Sequence, residues 1–179
     1  MQITQAHQTI DTLFEEWKAA LGRDYKAYRN HAYRVFNLAS VLAGASGEDR
    51  EILAVAAAFH DIGIWLDNTF DYLGPSVQRA LGYLSKTGRE KWGEQVTNII
   101  AQHHKVFPWR GTEPKLVEAF RRADWFDVCL FMLPTPPAPS FNRRLLSIFP
   151  RSGFHGRLIA LTFAWSRGHP LNPLPMLRW

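Results

Sequence analysis

The stretch Ala54-Val55-Ala56-Ala57-Ala58-Phe59-His60-Asp61-Ile62-Gly63 sets the architecture. It reads as a helix with almost no side chain suited to water, so most of its surface must pack against other helices. Gly63 is expected to stop it. The polar pair His60-Asp61 at its end needs a reason, because a buried carboxylate is costly unless it is paired or holds a cation. Two readings stand side by side here. One is a divalent metal at the floor of a pocket, since imidazole nitrogen and carboxylate oxygen are normal ligands. The other is a hydrogen-bonded His–Asp pair within the core.

Outward from this stretch the pattern stays helical. Ile10, Leu13, Phe14, Trp17 and Leu21 share one face of a helix over 5–21, closed by Gly22. Asp24 is a suitable N-cap for a second helix running to about Ala43. Ser46-Gly47-Glu48-Asp49 opens the central helix with acids in its first turn. The aromatic segment 64–74 is expected to be irregular, followed by a helix from Pro75 to about Lys86. Further helices are expected over 91–104, from Pro114 to about Phe131, and near 141–148 and 153–166. The run Pro134-Thr135-Pro136-Pro137-Ala138-Pro139 reads as a stiff loop. No alternating strand pattern and no repeat occurs, so the class is all-α, most simply one domain with a Pro- and Arg-rich C-terminal extension over about 140–179.

Composition narrows the setting. The chain has 179 residues and a single cysteine, Cys129, which excludes a disulfide framework and a thiolate metal cluster. The first residues lack the pattern of a secretory signal, and no apolar run is long enough to span a bilayer, so a soluble, cytoplasmic protein is expected. The net charge of +5 is unevenly placed: no Asp or Glu follows Asp127, and six Arg do. Such an end either attracts phosphate, nucleic acid or a membrane surface, or is a solvated basic face.

Four polar positions stand out on these apolar helices: His31 in Asn30-His31-Ala32-Tyr33-Arg34-Val35, then His60-Asp61, then Asp124 in Arg121-Arg122-Ala123-Asp124-Trp125. This order of His, His-Asp and a late helical Asp, over roughly residues 25–130, resembles the HD-domain superfamily of metal-dependent phosphohydrolases. His60-Asp61-Ile62-Gly63 matches the commonest form of that family's central motif. The resemblance implies a helical bundle that binds one divalent ion (Mn, Co, Ni, Fe, Zn or Mg) through His31, His60, Asp61 and Asp124. It also implies hydrolysis of a phosphate ester, commonly of a nucleotide or another small phosphorylated metabolite. An N2O2 donor set with open positions suits that chemistry, because the ion can polarise a phosphoryl oxygen and acidify its bound water.

Other residues are candidates around that centre. Arg34 is one turn from His31 and could hold phosphate or pair with an acid. His103 and His104 are expected at a helix end, where adjacent positions diverge by about 100°, so one of them is expected to enter the pocket, with Lys105 adding charge. Asp61, either of these histidines and Asp67 are the candidates for proton transfer, although Asp67 and Asp71 also suit simple turn caps. Asp127 could orient the site or pair with a cation. Trp65, Phe70 and Tyr72 could stack on a base or lie in the core.

The resemblance stops short of any subfamily. Gly63 and Ile64 stand where guanosine-tetraphosphate hydrolases carry acids. The Lys and Gly-Tyr-Pro of the cyclic-dinucleotide phosphodiesterases are missing, as is the Glu of the nucleoside-monophosphate phosphatases. Residues 65–102 contain no His, which favours one metal over the two of the two-iron oxygenases. Such an oxygenase, and a non-enzymatic anion-binding protein with a structural metal, are the alternatives.

Overall fold

A computed structural model describes residues 2–130 and 137–177. Phe131, Pro134 to Pro136 and Arg178, on which some of the expectations above fall, lie outside them. Among the described residues the chain is helical throughout, without a strand. Helix α1 is Gln8–Leu21, α2 Tyr25–Ala43, α3 Gly47–Phe59, and α4 the single turn Gly63–Leu66. They are followed by α5 (Leu73–Lys86), α6 (Gly93–Gln102), α7 (Pro114–Val128), α8 (Pro139–Ile148) and α9 (Phe154–Gly168).

Helix α3 is the axis of the bundle. Every residue from Ile52 to Ile64 is buried. Its alanines present little bulk, so α1, α2, α5, α6 and α7 all pack against it. Helix α1 docks through the expected face, with Ile10, Leu13, Phe14, Trp17 and Leu21 all buried. Burial of each large apolar side chain stabilises the fold by about 1.5–3 kcal/mol as an upper bound. Helices α2 and α7 pack along their length, which brings His31 and Arg34 opposite Asp124 and Asp127. Gly44 ends α2 in the left-handed conformation (φ 56°, ψ 41°), its N–H returning to the carbonyls of Ser40 and Val41.

Three local expectations need correction. Gly63 is not a stop: α3 ends at Phe59, and Gly63 begins the next turn. Its role is close approach, because a Cβ there would sit 2.8 Å from the Tyr72 carbonyl oxygen. Asp24 does not cap α2 with its side chain. Its carboxylate instead accepts from Trp65 Nε1 at 3.0 Å and from Arg157 Nε at 2.7 Å, contacts between distant elements that no local pattern encodes. The segment 64–74 is only partly irregular, since α4 occupies its start and α5 begins at Leu73.

The C-terminal helices close over one side of the bundle. Asn30 Nδ2 donates to the Pro150 carbonyl at 2.7 Å and Arg34 Nη1 to that of Phe149 at 3.1 Å. The Phe149 ring stacks on Tyr33 with centroids 4.6 Å apart. A separate small apolar cluster joins Ile64, Phe70, Tyr72 and Met176, with Leu161 and Trp165 of α9 packed against it. No helix among the described residues is long and apolar enough to cross a membrane.

Candidate metal centre

Three elements deliver the polar residues to one point. His31 comes from α2, His60 and Asp61 from the turn after α3, and Asp124 from α7. All four are buried, the two imidazoles completely. The turn carrying His60-Asp61 is held from two sides. Tyr28 Oη donates to the Ala58 carbonyl at 2.8 Å and accepts from the Asp61 N–H at 3.3 Å. The Gly63 N–H donates to Ser76 Oγ at 3.0 Å.

The hydrogen bonds fix which atoms face inward. His60 Nδ1 lies 3.0 Å from the Ala57 carbonyl and His103 Nδ1 2.6 Å from that of Ile100. A carbonyl can only accept, so both rings carry a proton on Nδ1 and turn Nε2 inward. His31 does likewise, with Nδ1 donating to Asp127 Oδ2 at 2.8 Å. The Nε2 atoms of His31 and His60 are consequently 3.0 Å apart. Two lone pairs at that separation repel unless a proton or a cation lies between them. Asp124 Oδ1 is 3.3 Å from His31 Nε2, and Asp61 Oδ2 is 3.2 Å from His60 Nε2. Ligands about 2.1 Å from a common ion stand roughly 3.0–3.4 Å apart, which these three separations match, while His31 Nε2 to Asp61 Oδ2 and His60 Nε2 to Asp124 Oδ1 are wider at 3.8 and 3.9 Å.

A second donor group adjoins the first. Asp61 Oδ1 faces His103 Nε2 at 3.4 Å and His104 Nε2 at 3.9 Å, and His104 Nδ1 is 3.5 Å from Asp124 Oδ2. Among the described residues two sets bring all their donor atoms within 4.8 Å of one another: His31, His60 and Asp61, and Asp61, His103 and His104. Asp61 belongs to both. The expectation that one of His103 and His104 enters the pocket is corrected. Helix α6 ends at Gln102, so both residues sit in the turn beyond it, and their ring centroids are 3.9 Å apart, facing the same cluster.

The plain core-pair reading leaves several buried polar atoms without a well-formed hydrogen bond. Asp61 Oδ1, His103 Nε2 and both oxygens of Asp124 are buried without a hydrogen-bond partner. Leaving such atoms bare costs about 1–3 kcal/mol each, more for a charged group. Protonation offsets part of this. Burial pulls the His31 imidazole down, but Asp124 and Asp127 outweigh it and raise its pKa to about 9. Burial likewise pushes Asp61 and Asp124 up, yet the surrounding histidines hold both below the usual carboxylate range. Against burial, Asp61 and Asp124 raise the His103 imidazole as well. A divalent cation would satisfy the two carboxylates and the inward ring nitrogens together, and the donor types suit one.

Around the centre, Asp127 is the anchor of His31. Fully buried, it accepts from Arg34 Nε at 2.7 Å and Nη2 at 2.8 Å as well as from His31. Burial raises its carboxyl, but Arg34 and His31 more than reverse this and hold it well below the carboxylate range. This corrects the reading of Arg34 as a phosphate ligand: its guanidinium is completely buried and engaged by Asp127 and two carbonyls. Asp67 is also displaced from the site, because both its oxygens accept from Arg79 at 2.7 and 3.0 Å on the surface. Lys105 is fixed through its backbone, whose carbonyl accepts from Arg121 Nη1 at 3.0 Å.

Two neighbours of the centre have roles that the sequence does not specify. The Tyr72 hydroxyl touches His104 Nε2. Burial and the carboxylates of Asp61 and Asp124 raise the phenol well above its ordinary value, so it stays a proton donor. The Phe154 ring stacks on His31 at 4.0 Å, 17° from parallel. Tyr72 was visible only as one of several aromatics, and Phe154 reaches His31 across 123 residues of chain, a pairing that spacing cannot supply.

No curated protein and no solved structure matches the chain. The family model described as HD domain matches residues 28–129, from the tyrosine that braces the central turn to the residue after α7. That interval spans more than half of the chain and contains every donor of the cluster, and the protein belongs to the HD-domain family.

Proposed function

We propose that the protein is a metal-dependent phosphohydrolase that cleaves a small phosphate ester. The reading is carried by the unpartnered inward atoms of Asp61, His103 and Asp124, grouped around imidazoles whose Nδ1 protons are tied back. His31, His60, Asp61 and Asp124 would hold an ion. Asp61, His103 and His104 support a second beside it, contrary to the single ion expected from the absence of His in 65–102. A divalent cation bound there supplies Lewis acidity toward a phosphoryl oxygen and toward water.

The chain itself manages geometry and protons. Asp127 fixes the His31 tautomer, and the carbonyls of Ala57 and Ile100 fix those of His60 and His103. His104 stays neutral, its pKa lowered to about 3 by burial and by the adjacent His103 against the pull of Asp124 and Asp61. Neutral imidazole beside the protonated Tyr72 hydroxyl is suited to passing a proton. In the reaction the oxygen of water bonds to phosphorus, the bond from phosphorus to the ester oxygen breaks, and a proton from water ends on the departing alkoxide. The products are inorganic phosphate and an alcohol.

The deciding experiment is elemental analysis of metal per chain for the wild type and Asp61→Ala, each followed by phosphate-release assays with p-nitrophenyl phosphate and Mn, Co, Ni or Mg. Bound metal and phosphate release in the wild type, both lost with Asp61, are expected. The metal count also separates one ion from two. No metal under any loading condition would overturn the ligand assignment, and two irons with oxygen consumption would move the protein to oxygenase chemistry.

A further inference from the structure

A cavity of about 430 Å³ opens directly onto the centre, within the roughly 300–1,000 Å³ typical of small-molecule sites. His104 and Asp124 form its polar floor together with Tyr72. Its outer wall comes from the C-terminal extension: Leu158, Ile159 and Phe163 of α9, and Met176 beyond it. Phe70, packed against Met176 and Trp165, lines the cavity as well. Among the described residues no Lys or Arg lines it. The Thr162 hydroxyl in the wall already donates to the Leu158 carbonyl at 2.9 Å, which leaves the unpartnered indole N–H of Trp125.

A nucleoside needs several convergent donors and acceptors to be held by its base and sugar, and a polyphosphate needs cations. These walls offer neither. They do offer continuous apolar surface that reaches from the metal donors to solvent. At the mouth, Ile159 and Phe163 are 59 % and 71 % exposed, which is apolar area left in water that a bound chain would cover. We propose that the substrate is an amphiphile, a phosphate ester of an apolar alcohol, whose phosphate sits at the His/Asp cluster while its hydrocarbon lies along α9. The proposal rests on the phosphohydrolase reading and narrows it: the alcohol released by hydrolysis is the part that the C-terminal extension recognises.

The test is calorimetric binding of ethyl- through octylphosphonate, which cannot be hydrolysed, to manganese-loaded protein below micellar concentrations. Phosphate release from the matching alkyl phosphates is measured in parallel. Affinity is expected to rise roughly fourfold per methylene until the cavity is filled. In Phe163→Glu and Ile159→Ser, changes at exposed positions, the dependence on chain length should flatten. A wild type that releases phosphate from short esters but shows no chain-length dependence overturns the amphiphile and leaves the phosphohydrolase standing. A steep dependence with no phosphate released from any ester does the reverse. A wild type that self-associates in sedimentation, becomes monomeric as Phe163→Glu and keeps its chain-length dependence makes α9 an interface between copies and overturns the proposal.

Discussion

Helices α3 and α9 are both rich in apolar residues and end in opposite situations. In α3 eight successive residues, Ile52 to Phe59, are buried. In α9 only Phe154 is, and Ile159 and Phe163 stand in solvent at the cavity mouth. The difference lies in what surrounds them. Five helices close around α3, whereas α9 meets the bundle along one side and leaves the other facing a void. Apolar composition therefore marks two distinct things in this molecule: a helix that makes the core, and a helix that walls a site.

The strongest test of the contrast is at the polar seam beneath both helices. Asp127→Asn leaves Arg34 buried without a compensating charge and His31 without its anchor. It should cost about 3–5 kcal/mol of stability in denaturant unfolding and weaken metal retention with it. A loss below 1 kcal/mol would mean that the seam is not tightly buried. A matched pair of substitutions then addresses the helices themselves. Ala56→Leu forces a larger side chain into the fully buried face of α3 and should cost about 1–3 kcal/mol. Ala160→Leu, at an exposed position of α9, should fall within about 0.5 kcal/mol of wild type. Equal losses would erase the distinction drawn between the two helices.

Another small effect is expected where burial is intermediate. Glu118 accepts from Arg121 Nε and Nη2, both at 2.8 Å, and from the Trp109 N–H, clasping the loop before α7. Burial pushes its carboxyl up, but Arg121 and the Trp109 N–H pull it below the ordinary 4.5. A carboxyl depressed in the folded state stabilises above its unfolded pKa, and this contribution disappears as the pH falls through the folded value. The acid-side loss of stability below about pH 4.5 should therefore be shallower in Glu118→Gln by less than about 1 kcal/mol. Urea midpoints at neutral and acid pH measure it, and identical slopes would remove the pair from the account.

Much of this architecture was legible from residue types. The alanine run specified a helix that must be enclosed, and His60-Asp61 at its end, with His31 and Asp124, gave the family and the inner donors. What escaped was set by tertiary pairing. Arg34 and Asp127 each read as ambiguous, because the sequence shows that each lies one turn from a donor and does not show that α2 and α7 set them opposite each other. The roles of His103 and His104 turned on where α6 ends: two residues fewer of helix bring both rings to the cluster. The helix near 153–166 was expected, yet nothing in its pattern shows which flank meets the bundle, so neither the cavity nor the ring of Phe154 over His31 could be read.

The anchoring of the extension to α2 has a consequence for synthesis. Every donor lies at or before Asp124, and the α9 wall begins beyond residue 153. The ribosome therefore releases the ion-binding helices first, and the cover of His31 forms only when the later helices fold back onto Asn30, Arg34 and His31. A shortened chain would keep its donors while losing both the cover of His31 and the wall of the cavity.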